Sequence, residues 1–177
     1  MSGKTFGQAV VDVPSTSDGA GMWRLARDSR SLDLNSSYSY LLWCRDFAGT
    51  SAVIRVDDEV IGFVTGYLRP NQPDTLVIWQ IAIAEAHRGR GFAATLLDNL
   101  VRRTGARHLE ATVTSDNDAS IAMFRALATR WGTGLTGNQL FSAEQFPDDH
   151  APEFLFRIGP FLSGSAPSQT PRTRGEL

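Results

Sequence analysis

Two different spacings of apolar residues alternate along this chain, and each change of period marks an element. Residues 52–56 and 60–68 are mostly apolar on either side of Asp57-Asp58, which predicts an antiparallel hairpin. Residues 70–74, Pro-Asn-Gln-Pro-Asp, read as a loop. An almost unbroken apolar run follows at 75–84, the central strand, with Trp79-Gln80 in its middle. From residue 92 the period lengthens: Phe92, Leu96, Leu97, Leu100 and Val101 fall on one helical face, opposite Asp98, Asn99, Arg102 and Arg103. Gly105 suits the C-terminal cap of that helix. Alternation returns at 107–114, where Leu109, Ala111 and Val113 oppose His108, Glu110 and Thr112 in a strand. Ser115-Asp116-Asn117-Asp118 then caps a helix whose Ile121, Phe124, Leu127 and Ala128 face inward. Residues 139–141 and 154–158 are the last strand candidates.

Ahead of the hairpin the pattern is weaker. Residues 22–26 suit a short first strand with Trp23 and Leu25 on one face, and 38–45 carry helical spacing. The polar run 31–37 is dense in capping side chains, so helix capping is the plain assignment for Asp33 and Asn35, with Gly49 closing the helix. Residues 1–20 and 161–177 are rich in small and polar residues and are expected as flexible tails on a single domain at 21–160.

Composition narrows the function class. A chain of 177 residues with 42% hydrophobic content can bury one core. A net charge of −2 argues against nucleic acid as partner. No stretch approaches the length of a membrane span, and the expected location is the cytoplasm. The single cysteine, Cys44, lies in the apolar run Leu41-Leu42-Trp43-Cys44, where an inert buried thiol is favoured over a nucleophile; no metal site is expected.

The chemistry concentrates where the central strand meets the next helix. A helix start carries unpaired N–H groups and partial positive charge. Gly89 and Gly91 let a ligand approach the backbone, and Arg88 and Arg90 add full charge. Together they make an anion site suited to a pyrophosphate. Gly89-Arg90-Gly91-Phe92-Ala93-Ala94 fits the dinucleotide fingerprint, with Glu110 near the place of a ribose-binding acid. Yet several strands precede the turn and too little chain follows it for that fold. Arg88, Gly91 and Ala93 also fit Arg-x-x-Gly-x-Ala, and this resembles the coenzyme A loop of the GCN5-related N-acetyltransferases (GNAT).

The resemblance implies a GNAT fold of class α/β (α+β): a mixed, mostly antiparallel sheet of about six to seven strands, splayed at the middle and flanked by helices. It implies that acetyl-CoA is the cosubstrate, with pantetheine on the backbone of Ile81, Ala82 and Ile83. The diphosphate would lie on Arg88, Gly89, Arg90, Gly91, Phe92 and Ala93. The family's second motif, an asparagine with a tyrosine seven positions later, is matched at Asn117 but carries Phe124 in place of the tyrosine. Phe124 cannot donate a proton to the leaving thiolate. A non-catalytic coenzyme A sensor is therefore a second reading.

Further segments are similar to the diaminobutyrate acetyltransferases of ectoine synthesis. They are Asp33-Leu34-Asn35-Ser36-Ser37-Tyr38-Ser39-Tyr40, Gln72-Pro73-Asp74-Thr75-Leu76, Trp79-Gln80, and Pro152-Glu153-Phe154-Leu155-Phe156-Arg157-Ile158-Gly159-Pro160. The likeness is collinear over about residues 22–160 and implies a homodimer with L-2,4-diaminobutyrate as the acceptor. Two ammonium groups and a carboxylate call for acids, an aromatic wall and hydroxyls. Asp33 and Glu153 are the acids, Trp79 the wall, and Ser36, Ser37, Tyr38 and Tyr40 the hydroxyls, with His150 near Glu153. By spacing alone Glu153 is a surface acid and His150 a loop histidine; the resemblance favours a site role for Glu153 and leaves His150 open.

Overall fold

The computed structural model describes residues 8–161. Its strands are β1 (Val10–Asp12), β2 (Ala52–Val56), β3 (Glu59–Arg69), β4 (Gln72–Ile83), β5 (His108–Thr114), β6 (Leu135–Phe141) and β7 (Glu153–Ile158). They form one sheet in the order β1-β2-β3-β4-β5-β7-β6, antiparallel throughout except for the parallel pair β4 and β5. The helices are α1 (Gly19–Ser29), α2 (Ser37–Asp46), α3 (Phe92–Thr104) and α4 (Asp118–Arg130). This seven-stranded, mostly antiparallel sheet flanked by helices agrees with the mixed sheet of about six to seven strands that the resemblance implies.

Strand alternation sorts the apolar side chains into two layers. Ile54 and Val64 join Leu96, Leu97 and Leu100 of α3 and Phe124 and Leu127 of α4 in one cluster. Their strand neighbours Val53 and Phe63 join Met22 and Ala26 of α1 and Tyr40 and Cys44 of α2 in the other. The sheet is thus covered on both faces.

Several expectations are corrected by long-range pairing. Residues 22–26 lie in α1 rather than in a strand: Met22 and Ala26, four apart, are the buried positions. The expected tail at 1–20 is shorter, because β1 pairs with β2 from Val10. Residues 1–7 and 162–177, where the rest of the expected tails falls, lie outside the described residues. The loop at 70–74 narrows to a turn at Pro70-Asn71, and β4 starts at Gln72. Pro73 is tolerated because β4 pairs with β5 only from Thr75 onward, so no ladder bond on that edge needs its missing N–H. Helix α2 is capped at Ser36, not Asp33 or Asn35, and ends at Asp46 ahead of Gly49.

Three buried acids tie the elements together. Asp18 receives both Arg55 terminal nitrogens at 2.5 and 2.7 Å, which hold its carboxyl below the usual range against the opposing effect of burial. Asp98, expected on the solvent face of its helix, is 4% exposed and accepts from Arg130 at 2.6 Å and the Trp131 indole at 2.7 Å. Glu110 sits between the guanidiniums of Arg69 and Arg157. Such a clamped carboxylate holds β3, β5 and β7 and has no group left for a ribose, which removes the dinucleotide reading. Glu110→Ala would leave two half-buried arginines facing each other, and should lower unfolding free energy by about 2 to 4 kcal/mol in urea titrations.

Candidate active site

Strands β4 and β5 pair over only four residues each, Thr75 to Ile78 against His108 to Ala111, and then part. On the other edge the β3–β4 register shifts between Thr65 and Gly66, so that Thr65 faces Gln80, Gly66 faces Ile78, and Trp79 is the extra residue. Gly66 permits this: a Cβ there would stand 2.6 Å from the Val77 carbonyl oxygen. Past the bulge, β4 keeps β3 on one side and leaves its β5-facing edge open from Trp79 to Ile83. The expected splay is therefore present.

The open edge borders a cleft of about 470 Å³. It is lined by Ile81, Ala82 and Ile83, by Arg88, Gly89, Gly91, Phe92 and Ala93, and by Asn117 from the start of α4. Gly89 and Gly91 have φ of +73° and +78°, a region that disfavours side chains, and Gly91 is the N-cap of α3. A Cβ at either would meet nothing within 4 Å, so the backbone faces open space. Arg88 Nε donates to the Ile83 carbonyl at 3.1 Å, folding the basic turn back over the strand end. Arg90 is exposed and Phe124 is 2% exposed in the core, so neither lines the cleft. Asn117 caps α4 by accepting from the Ser120 N–H at 3.1 Å.

Sequence reasoning did not single out Ser29, Ser31, His87, Ser120 and Met123, which also line the cleft. Ser29 ends α1 and Ser31 lies just beyond it, in the polar run read only as helix capping. Ser120 and Met123 follow Asn117 at helical spacing, a signal that could have been used.

Three of the acceptor candidates meet where the loop before α2 reaches the start of β7. His150 Nε2 stands 3.6 Å from Asp33 Oδ2 and 3.7 Å from Glu153 Oε1. The ring of Phe146 stacks on His150 with centroids 4.3 Å apart. Glu153 opens β7 opposite Thr114, three residues before Asn117. Burial pushes the Glu153 carboxyl up, against the pull of His150 and the Thr112 hydroxyl, and its Oε2 is buried without a full hydrogen bond. The Ala151 carbonyl at 2.7 Å, then Asp33 and Glu153, raise the His150 pKa.

The remaining candidates are placed differently. Tyr40 is buried and donates to Gln80 Oε1 at 2.9 Å. Ser36, Ser37 and Tyr38 are exposed at the start of α2. The Trp79 indole is 53% exposed and stacks on Trp43 at 6.3 Å. Met22 Sδ accepts from the Cys44 thiol, whose pKa burial pushes up to about 11. Cys44 therefore stays a protonated core thiol at neutral pH.

This sheet, split after the glycine-turn strand, can be compared with known proteins. The family model described as "Acetyltransferase (GNAT) family" matches residues 20–128. The L-2,4-diaminobutyric acid acetyltransferase of Streptomyces anulatus is 55% identical over 159 residues, 86% of this chain and 90% of that protein. The chain belongs to the GNAT family, among the L-2,4-diaminobutyric acid acetyltransferases. The Nocardia farcinica acetyltransferase of the same name is 53% identical over 158 residues, 88% of this chain and 82% of that protein. Among solved structures, the Paenibacillus lautus diaminobutyrate acetyltransferase EctA, in complex with its substrate L-2,4-diaminobutyric acid and coenzyme A, superposes with a TM-score of 0.83. It is 37% identical and covers 88% of this chain and 97% of that one.

In this GNAT chain, His150 yields a pH signature. Its raised pKa means that folding favours the imidazolium. The associated stability is present below the ordinary imidazole value and is lost as pH rises through the raised one. His150→Asn should therefore lie furthest below the unsubstituted protein in urea midpoint near about pH 6, and match it by about pH 9.

Proposed function

We propose that this protein transfers the acetyl group of acetyl-CoA to the 4-amino group of L-2,4-diaminobutyrate. The products are N4-acetyl-L-2,4-diaminobutyrate and CoA, in the ectoine pathway that makes a compatible solute. The observation that carries the reading is the Asp33, His150 and Glu153 cluster, tied to β4 by the hydrogen bond from Gln80 to the Asp33 carbonyl, in a chain whose glycine turn suits a diphosphate. The relatives' names support the same acceptor and cosubstrate. A cytoplasmic location fits this reading; among the described residues no helix is long and apolar enough to cross a membrane.

The thioester supplies the acetyl group. Backbone N–H groups on the open edge of β4 would orient its arm and meet the developing oxyanion. Gly89, Gly91 and the first turn of α3 would hold the diphosphate, with Arg88 beside them. Asp33 and Glu153 would mainly hold the 2-amino end of the acceptor and leave the 4-amino nitrogen facing the thioester, so that position decides which nitrogen reacts. Attack forms the N–C bond and breaks the C–S bond. The 4-ammonium gives up one proton to solvent to become a nucleophile and a second on acylation, which the thiolate gains, so no net proton is needed from the protein. Phe124 offers none, and burial raises the Tyr40 phenol pKa while Gln80 holds its hydroxyl. Cys44, protonated in the core, favours direct transfer in a ternary complex over an acyl-enzyme.

Incubation with acetyl-CoA and a panel of small diamines, with products read by mass spectrometry, tests the function. Diaminobutyrate should be acetylated at the 4-amino group in preference to the others. Coenzyme A binding without any turnover would leave the sensor reading instead. Asp33→Ala and Glu153→Ala should each lower kcat/KM for diaminobutyrate about tenfold to a hundredfold while still binding coenzyme A. Unchanged values for both would reduce these acids to a surface charge and a strand end.

Gly91→Glu places a side chain at φ +78° and a like charge at the anion site. Coenzyme A affinity by calorimetry should fall at least about tenfold with the fold retained.

A homodimer completes the proposal. Leu34, Tyr38, Leu41, Phe47 and Trp79 of the α2 side, and Leu140 and Phe141 of β6, are each at least 39% exposed, apolar surface suited to a second copy. Light scattering at micromolar concentration should give twice the chain mass; the monomer mass would remove the dimer.

A further inference from the structure

The geometry points to Gln80 as the positioning residue for the acceptor, acting through Asp33. Asp33 sits in a segment without helix or strand between α1 and α2, and its carboxylate is 92% exposed. That segment is tied to the sheet by a hydrogen bond from the Gln80 side-chain amide to the Asp33 backbone carbonyl at 2.7 Å, and the Tyr40 hydroxyl meets Asn35 two residues on. A backbone carbonyl only accepts, so the Gln80 nitrogen must face Asp33 and its oxygen must face the Tyr40 hydroxyl, which donates at 2.9 Å. Gln80 is 7% exposed and Tyr40 is 1% exposed. Away from water, an unpaired amide is costly, so the three groups hold one another in a single arrangement.

The position of Gln80 in β4 gives this bond its meaning. Gln80 immediately follows the bulge at Trp79, and Ile81, the next residue, lines the cleft. One strand thus presents its backbone to the cleft and, through the Gln80 side chain, fixes the loop whose carboxylate stands 3.6 Å from His150. Because the bond reaches the Asp33 main chain, Gln80 does not occupy the Asp33 carboxylate, which faces His150 and can meet the acceptor. Gln80 itself touches no reacting atom; it sets where Asp33 stands. This rests on the reading of Asp33 as an acceptor anchor proposed above.

Gln80→Met keeps the length of the side chain and removes both hydrogen bonds. It should raise KM for diaminobutyrate about tenfold, with KM for acetyl-CoA within about twofold of the unsubstituted protein. Combined with Asp33→Ala, it should add no more than about twofold, because the residue through which it acts is gone. Parallel rises in both KM values, or a full additional loss in the Asp33→Ala background, would make Gln80 a structural residue and overturn the inference. If Asp33→Ala alone leaves KM for diaminobutyrate unchanged, the acceptor-anchor reading fails first. If Asp33→Ala raises it and Gln80→Met does not, only the present inference fails. Should Gln80→Met not fold, Tyr40→Phe decides: it unpairs Gln80 Oε1, with Asn35→Ala as the control for the hydroxyl's contact with the Asn35 side chain. A rise in KM for diaminobutyrate alone supports the inference, and no rise overturns it.

Discussion

Strand β4 must keep one partner and give up the other. Its pairing with β5 lasts for four residues and then stops, while its pairing with β3 continues through a one-residue bulge to Ile83. Backbone N–H and C=O groups inside a protein are costly to leave unpaired. A strand edge opened in the middle of a sheet is therefore stable only where water or a ligand completes it. The cleft, the turn over Arg88 to Ala93 and the cap of α4 at Asn117 are all arranged around that opening. The bulge also redirects the chain so that a strand of aliphatic residues carries Trp79 outward, onto Trp43, and Gln80 inward, onto Tyr40.

Pairing, more than burial, sets Glu153 apart from the three structural acids. Asp18, Asp98 and Glu110 are each nearly inaccessible and each meets at least one arginine. With their charge matched and their oxygens bonded, they pin strands and helices together. Glu153 differs. It faces one half-buried imidazole, keeps a buried oxygen without a full hydrogen bond, and has its pKa raised chiefly by desolvation. A carboxylate held in that condition gains from a cationic partner, which an ammonium group would supply.

The Phe124 substitution is instructive in the same terms. Its ring is part of the apolar layer beneath α4, where a hydroxyl would need a partner. The protein has used that position for packing, and transfer of acetyl to an amine releases enough protons from the nitrogen to balance the thiolate.

The sequence by itself determined what local chemistry controls. The hairpin around Asp57-Asp58, the stripe of α3, the Asn117 cap and the glycines at 89 and 91 were legible because turn geometry and helical period are properties of neighbouring residues. The short stretch 22–26 was misread because five residues suit either period, and only packing against Tyr40 and Phe63 selects the helix. Asp98 looked like a solvent-face charge and Glu110 like a ribose-binding acid, since Arg130, Arg69 and Arg157, which hold them, lie 32 to 47 residues away in the chain. The meeting of Asp33, His150 and Glu153, and the hold of Gln80 on Asp33, were decided only by the tertiary structure. Contacts between residues more than 40 positions apart leave no period in the chain; they exist because the sheet brings β4, β7 and the loop before α2 to the same side of its opening.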